Sequence, residues 1–155
     1  MAIVRQQGQP GALGEFGTMG VVRHARPGET VPEFHFDPDE NLVRVTFSGA
    51  LKASQAFESV RELIRDPLYT SGMNGLIDLR GVDSIEMFGD QVRAGTDLVA
   101  RLGDAFAGAR WALVGTTDPA YGIARQFELM TTDSRFEVRS FRNIEDAERY
   151  LGVGS

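Results

Sequence analysis

A short apolar run within residues 73–92 most constrains what this chain folds into. Residues 76–79 read LIDL, lie between Gly75 and Arg80, and have the length and flanks that are typical of a buried β-strand. From about Gly89 onward, apolar side chains recur every three or four residues, which predicts a long amphipathic helix. A strand followed by a helix is the repeating unit of parallel α/β proteins, so this stretch predicts an α/β fold.

The rest of the chain extends this pattern. Residues 33–37 and 42–48 alternate polar and apolar residues on either side of the turn-forming sequence 37–41, as a β-hairpin does. Further strands are predicted at 111–115 and 136–141, and further helices begin near Ser54, Asp118 and Asn143. The order ββαβαβαβα predicts a mixed sheet of four to five strands, with an N-terminal antiparallel hairpin, then parallel strands, and helices packed mainly on one face.

That topology leaves one face of the sheet open if all of the right-handed crossovers step in the same direction. The open face then displays His35 at one edge, with Arg44 and Thr46 beside it and residues of the last two strands further on. We predict this face as a candidate surface for a protein partner.

Composition limits the partners and the chemistry. The chain has 155 residues, which suits one domain, and its glycine-rich start predicts a flexible tail at 1–31 before a single domain at 32–152. We expect part of residues 1–18 to be a cloning-derived addition. The net charge of -6 argues against nucleic acid as a partner, and the absence of cysteine excludes disulfides and thiolate chemistry. No segment is apolar enough to span a membrane, so we predict a cytoplasmic protein.

Residues 76–82, with Gly89 opening the following helix, resemble the STAS domain, the sulfate transporter and anti-sigma factor antagonist family. The whole of residues 33–151 is similar to the small bacterial SpoIIAA-like proteins. The segments that carry this resemblance are 37–41, 76–82, 109–114, 118–124 and 136–141. The resemblance implies a SpoIIAA/STAS-like fold and a non-enzymatic regulatory module that docks a protein partner or a second copy of itself, as a homodimer.

The same resemblance draws attention to one missing hydroxyl. In the switching members of the family, a serine directly before the glycine that opens the second helix is phosphorylated by a partner kinase. Phe88 stands at that place here and cannot accept phosphate, while Ser84 would serve only if the loop slipped its register. We therefore predict an interaction site at this helix start that lacks the usual switch. Its residues are Ser84, Glu86, Phe88, Gly89 and Asp90.

A second candidate site lies where the parallel strands end, because open α/β sheets bind ligands at the carboxyl ends of their strands. The candidate pocket consists of Asp78, Arg80, Arg93, Thr116, Thr117 and Asp118. An enzyme that uses the Asp78 region is one alternative. In the other alternative these residues are structural: Asp78 bonds loop amides or pairs with an arginine, and Asp118 caps its helix.

Apolar helix residues raise a further alternative, a carrier or sensor of a small apolar or lipid-like ligand. Helical spacing of apolar residues predicts either ordinary core packing or the lining of a cavity between helices and sheet. The residues concerned are Leu63, Val99, Phe106, Phe127 and Met130. We predict no metal ion. We also predict no cofactor, since the glycine patterns of nucleotide-binding loops are absent. The leading hypothesis is the regulatory or protein-interaction module, and the apolar-ligand carrier is its alternative.

Overall fold

A computed structural model describes residues 21–23, 32–131 and 135–153, which form a six-stranded mixed sheet with helices on both faces. The strands cross the sheet in chain order: β1 (Val21–Arg23), β2 (Glu33–Asp37), β3 (Leu42–Lys52), β4 (Asn74–Glu86), β5 (Arg110–Val114) and β6 (Glu137–Phe141). The first three strands pair antiparallel, and the later neighbours pair parallel. The predicted hairpin followed by parallel strands is confirmed.

Four α-helices connect or follow these strands in the described part of the chain: α1 (Ala53–Arg65), α2 (Gly89–Arg101), α3 (Asp118–Met130) and α4 (Ile144–Leu151). Short 3-10 turns lie at Pro38–Glu40 and Gly103–Ala105. Asn143 caps α4 as predicted, because its side-chain oxygen accepts a hydrogen bond from the Asp146 amide at 2.8 Å.

The sheet separates two apolar cores. Helices α1, α2 and α3 cover one face and enclose the larger core, while α4 covers part of the other face. Because successive strand residues point to opposite faces, the central strands β3, β4 and β5 contribute to both cores. The predicted packing of helices mainly on one face is confirmed. The smaller core consists of Leu42, Leu76, Ala112, Val114, Ala147 and Leu151.

The position of α4 corrects the predicted open face. The helix packs on β4 and β5 through the smaller core, so the C-terminal strands are not displayed as expected. The guanidinium of Arg44 pairs with the Glu148 carboxylate of α4 at 2.9 Å, and Arg44 in turn lies opposite His35 in the register of β2 and β3. The last crossover therefore places its helix on the second face.

Strand β1 corrects both the strand count and the predicted tail. Val21–Arg23 lie within the residues expected to be flexible, yet they pair antiparallel with Phe34 to Phe36 and add a sixth strand. A three-residue strand has too little alternation for a sequence pattern to reveal it. Residues 1–20 and 24–31 lie outside the described residues, and the division at residue 31 otherwise stays a prediction.

The central strands β3 and β4 are longer than predicted. The sequence predicted strands at 42–48 and 76–79, but in the structure the two strands stay paired as far as Lys52 and Glu86. Two register shifts interrupt this pairing, one of them between Gly49 and Ala50. Gly49 adopts a φ of 74°, which glycine tolerates and which lets the strand continue through a bulge. Beyond Asp78, β5 no longer pairs with β4. The ends of β3 and β4, which stay paired with each other, therefore project past the rest of the sheet.

Candidate functional site

The start of α2 is the predicted interaction site, and there Phe88 is 70% exposed. Its backbone N–H donates a 2.9 Å hydrogen bond to the Gln91 side chain, while its carbonyl accepts from the amides of Gln91 and Val92. The preceding residue, Met87, is buried in the larger core. Extended backbone at this position sends successive side chains to opposite sides, so burial of Met87 places Phe88 in solvent.

The other four residues of that site surround the same helix start. Ser84 and Glu86 lie on β4, exposed and paired in register with Ala50 and Lys52, rather than in the expected loop. Ser84 is thus held by strand pairing and does not slip toward the helix. Gly89 opens α2 with open space around its Cα, and the exposed Asp90 carboxylate accepts from the Gln91 amide at 3.0 Å.

Asp78, the centre of the predicted pocket, is 9% exposed and forms an ion pair two residues along its own strand. Its carboxylate accepts from the Arg80 Nε at 2.9 Å, from the Arg80 Nη2 at 2.8 Å and from the Arg80 amide at 3.0 Å. Burial by itself raises the pKa of Asp78, but the hydrogen bonds from Arg80 and the charges of Arg80 and Arg44 outweigh burial and lower that pKa. Asp78 is therefore an ionised structural carboxylate.

The remaining pocket residues lie on other elements than Asp78. Arg93 lies on α2, which packs on the face of the sheet opposite to the Asp78 side chain. Thr116 is exposed in the loop after β5, and Thr117 caps α3 by accepting from the Ala120 amide at 3.2 Å. Asp118, predicted as the cap, is instead the first helical residue. Its carboxylate pairs with Arg142 at 2.8 Å, on the exposed surface.

The larger core contains a cavity of about 130 Å³ between the sheet and helices α1, α2 and α3. Strands β2 to β6 supply its floor, and none of the residues that line it is charged. Of the five apolar residues singled out in the sequence, four line this cavity: Leu63, Val99, Phe106 and Phe127. Met130 packs against the same core without reaching the cavity wall. The cavity therefore has an almost wholly apolar lining and no charge.

The few polar groups around the cavity differ in whether they have a hydrogen-bond partner. The hydroxyls of Ser59, Thr96 and Thr131 each donate to a carbonyl of their own helix, at 2.6, 2.9 and 2.8 Å. The indole Nε1–H of Trp111 is buried and has no hydrogen-bond partner. Buried donors are nearly always paired in folded proteins, so an unpaired indole N–H is uncommon. The sequence did not indicate it, because Trp111 lies in a continuous apolar run.

Two half-buried rings mark the helix side of the cavity. Phe57 of α1 and Phe127 of α3 approach each other over Gly95 of α2, where a methyl group would lie 2.9 Å from one ring and 3.5 Å from the other. Gly95 thus lets three helices converge on two aromatic side chains. Because lining residues on the helices are partly exposed while the strand residues beneath them are mostly buried, the route from solvent to the cavity runs between the helices.

Other kinds of site find little support in the residues that the structure covers. Within 32–131 and 135–153, no three acidic or histidine side chains come together as a metal ion requires. Over the same ranges, no helix combines the length and apolarity needed to cross a membrane.

Comparison with known proteins finds a similar solved structure and no matching family. No protein-family model matches the chain, and no curated protein matches it. Among solved structures, an uncharacterized DUF3478-family protein from Shewanella loihica is similar over 85% of this chain and 91% of its own, with 15% sequence identity and a TM-score of 0.47. That protein is described as having a SpoIIAA-like fold.

Proposed function

We propose that this protein binds a small apolar molecule in the cavity between its sheet and helices α1 to α3, as a carrier or a sensor. The observation that supports the proposal is the cavity itself, about 130 Å³ of uncharged space inside the main core. Protein interiors are close-packed, and voids larger than a water molecule are few. An apolar ligand that fills this space removes its apolar lining from water, which stabilises the folded state.

The test is a thermal unfolding series with benzene and toluene, together with native mass spectrometry of freshly purified protein. Saturation with a ligand at 100 times its dissociation constant stabilises the folded state by about 2.7 kcal/mol, so the unfolding midpoint rises by several degrees. The matched control is Ala56→Leu, which places a larger side chain in the cavity wall and abolishes the rise. An unchanged midpoint with every probe in the parent protein would refute the proposal.

Docking of a protein partner through the start of α2 is the second candidate function, and the 70% exposure of Phe88 favours it. The resemblance of residues 76–89 to STAS domains supports a regulatory role for such docking. Large aromatic side chains carry much of the energy of protein interfaces, and most of this ring is free to be buried by a partner or a second copy.

Comparison of Phe88→Asp with Leu129→Asp tests the docking function. Both variants replace an exposed apolar side chain, but Leu129 is 55% exposed on α3, away from the predicted site. We expect only Phe88→Asp to change the oligomeric state in analytical ultracentrifugation or to lose proteins captured from cells. Identical behaviour of the two variants and the parent would exclude docking at this helix start. We propose no enzyme, since the Asp78 carboxylate is already paired with Arg80.

A further inference from the structure

We infer that the molecule bound in the cavity is a compact hydrocarbon, no larger than one ring with a small substituent, that carries no hydrogen-bonding group. This inference rests on the proposed ligand-binding function and specifies its ligand class. It follows from three properties of the cavity, which are its volume, its lack of charge and its almost wholly apolar lining.

Volume limits the size of the ligand. In another protein, an engineered apolar cavity of about 150 Å³ binds benzene. The present cavity of about 130 Å³ is similar, so it takes one ring with a small substituent. A long acyl chain does not fit in this space, which narrows the apolar or lipid-like ligand expected from the sequence to a compact molecule.

Gly95 of α2 leaves part of this room open. It lines the cavity together with Phe57 and Phe127, and a Cβ atom on Gly95 would lie 2.9 Å from the Phe57 ring and 3.5 Å from the Phe127 ring. The first distance is shorter than carbon atoms tolerate, so a methyl group here would displace a ring or occupy space that the ligand needs. The missing side chain therefore helps to set the size of molecule that the cavity accepts.

The lack of charge excludes ionised ligands. None of the residues that line the cavity is charged, so a carboxylate or an ammonium group would enter without a counter-charge and lose its hydration. The charged end of a fatty acid or an amine therefore stays outside in water, and the cavity is too small to hold a long tail behind it.

The apolar lining excludes neutral polar ligands as well. The hydroxyls of Ser59, Thr96 and Thr131 each donate to a carbonyl of their own helix, and they leave almost no polar surface toward the cavity. The indole N–H of Trp111 is buried and out of reach of a molecule in the cavity. A ligand hydroxyl, amide or carbonyl would therefore lose its hydrogen bonds to water and form none with the protein, which weakens binding. A hydrocarbon has no such bonds to lose.

Toluene and phenol test the inference, because they have nearly the same shape and toluene has a methyl group where phenol has a hydroxyl. Calorimetric titration with toluene, repeated in the presence of phenol, measures both affinities for the same site. A hydroxyl that keeps a partner after transfer from water weakens affinity by at most about thirty-fold, whereas one without a partner weakens it by roughly several hundred-fold. We expect toluene to bind more than about thirty-fold more tightly than phenol.

Alanine variants of two helix glycines test whether the ring binds beside Gly95. Gly95→Ala adds a methyl group between the two lining rings, while the matched control Gly122→Ala adds one on α3, where nothing outside that helix lies within 4 Å. Alanine favours a helix more than glycine does, so both variants should fold. We expect Gly95→Ala to lower the affinity for toluene roughly five-fold or more and Gly122→Ala to leave it unchanged.

The outcomes separate the inference from the proposed function. If phenol binds within about thirty-fold of toluene, the lining offers a polar partner and the inference is wrong, while the proposed function stands. Equal toluene affinities in the two glycine variants would likewise overturn the size limit at Gly95. If toluene does not bind to the parent protein at all, the proposed function fails as well.

Discussion

At the scale of single residues, Asp78 shows how a neighbour decides what an ionisable group does. A carboxylate within an apolar strand at a sheet edge predicted a ligand site, yet the side chain of Arg80 lies on the same strand face and takes both carboxylate oxygens. Residues two apart on a strand point to the same side, so this pair was available from the sequence alone. The sequence could not show that Arg93 lies on a helix that packs against the opposite face of the sheet.

Replacement of Asp78 tests this structural role through pH. The pKa of Asp78 is lowered from its ordinary value of 3.8 in the folded state, so its stabilisation is fully present above pH 3.8 and is lost as pH falls through the folded pKa. We expect Asp78→Asn to lower the free energy of unfolding by about 1 to 2 kcal/mol near neutral pH, and to flatten its decline in acid.

Urea denaturation at about pH 7 and about pH 3 measures both effects. Asp83→Asn is the matched control, because Asp83 is exposed on the same strand. If the two variants give the same pH profile, the Asp78 and Arg80 pair contributes no stability.

At the scale of the elements, the paired ends of β3 and β4 are the main departure from the sequence pattern. A glycine after an alternating run normally ends a strand, and Gly49 was interpreted in that way. In the structure its φ of 74° produces a bulge, and pairing resumes beyond it. This extension also affects the predicted interaction site, because Ser84 and Glu86 lie on the added part of β4, next to the start of α2.

Alanine substitution distinguishes this bulge glycine from an ordinary one. We expect Gly49→Ala to lower the free energy of unfolding by about 1 to 2 kcal/mol, because a Cβ is strained at a left-handed φ. Gly89→Ala is the control. Gly89 begins α2 with nothing near its Cα, so alanine there is neutral or stabilises by up to about 1 kcal/mol. Chemical denaturation of both variants checks this, and an equal effect at the two positions would contradict the bulge.

At the scale of the whole molecule, the two cores differ in how completely they are filled. The larger core holds the cavity. In the smaller core beneath α4, all four buried strand residues are 1% exposed or less. Unfilled space in the main core lowers the stability of the folded protein, and a ligand or a larger side chain that fills the space raises it.

Matched enlargements of two alanines test this contrast. We expect Ala56→Leu, in the cavity wall, to raise the free energy of unfolding by about 0.5 to 2 kcal/mol. Ala147→Leu, in the fully buried contact of α4 with the sheet, should lower it by about 1 to 3 kcal/mol through overpacking. Thermal unfolding without added ligand measures both changes in stability. If Ala56→Leu destabilises the protein as much as Ala147→Leu does, the cavity is not open space.

The sequence by itself determined the order of strands and helices, the antiparallel hairpin and the parallel strands that follow it. Those features come from alternation, helical periodicity and turn residues, which act between neighbours along the chain. Only the tertiary structure decided that Val21–Arg23 join the sheet, that α4 covers the second face, and that Trp111 lines a cavity with its N–H unpaired. Each of these depends on contacts between residues distant in sequence, and whether a core is filled depends on the shapes of many side chains together.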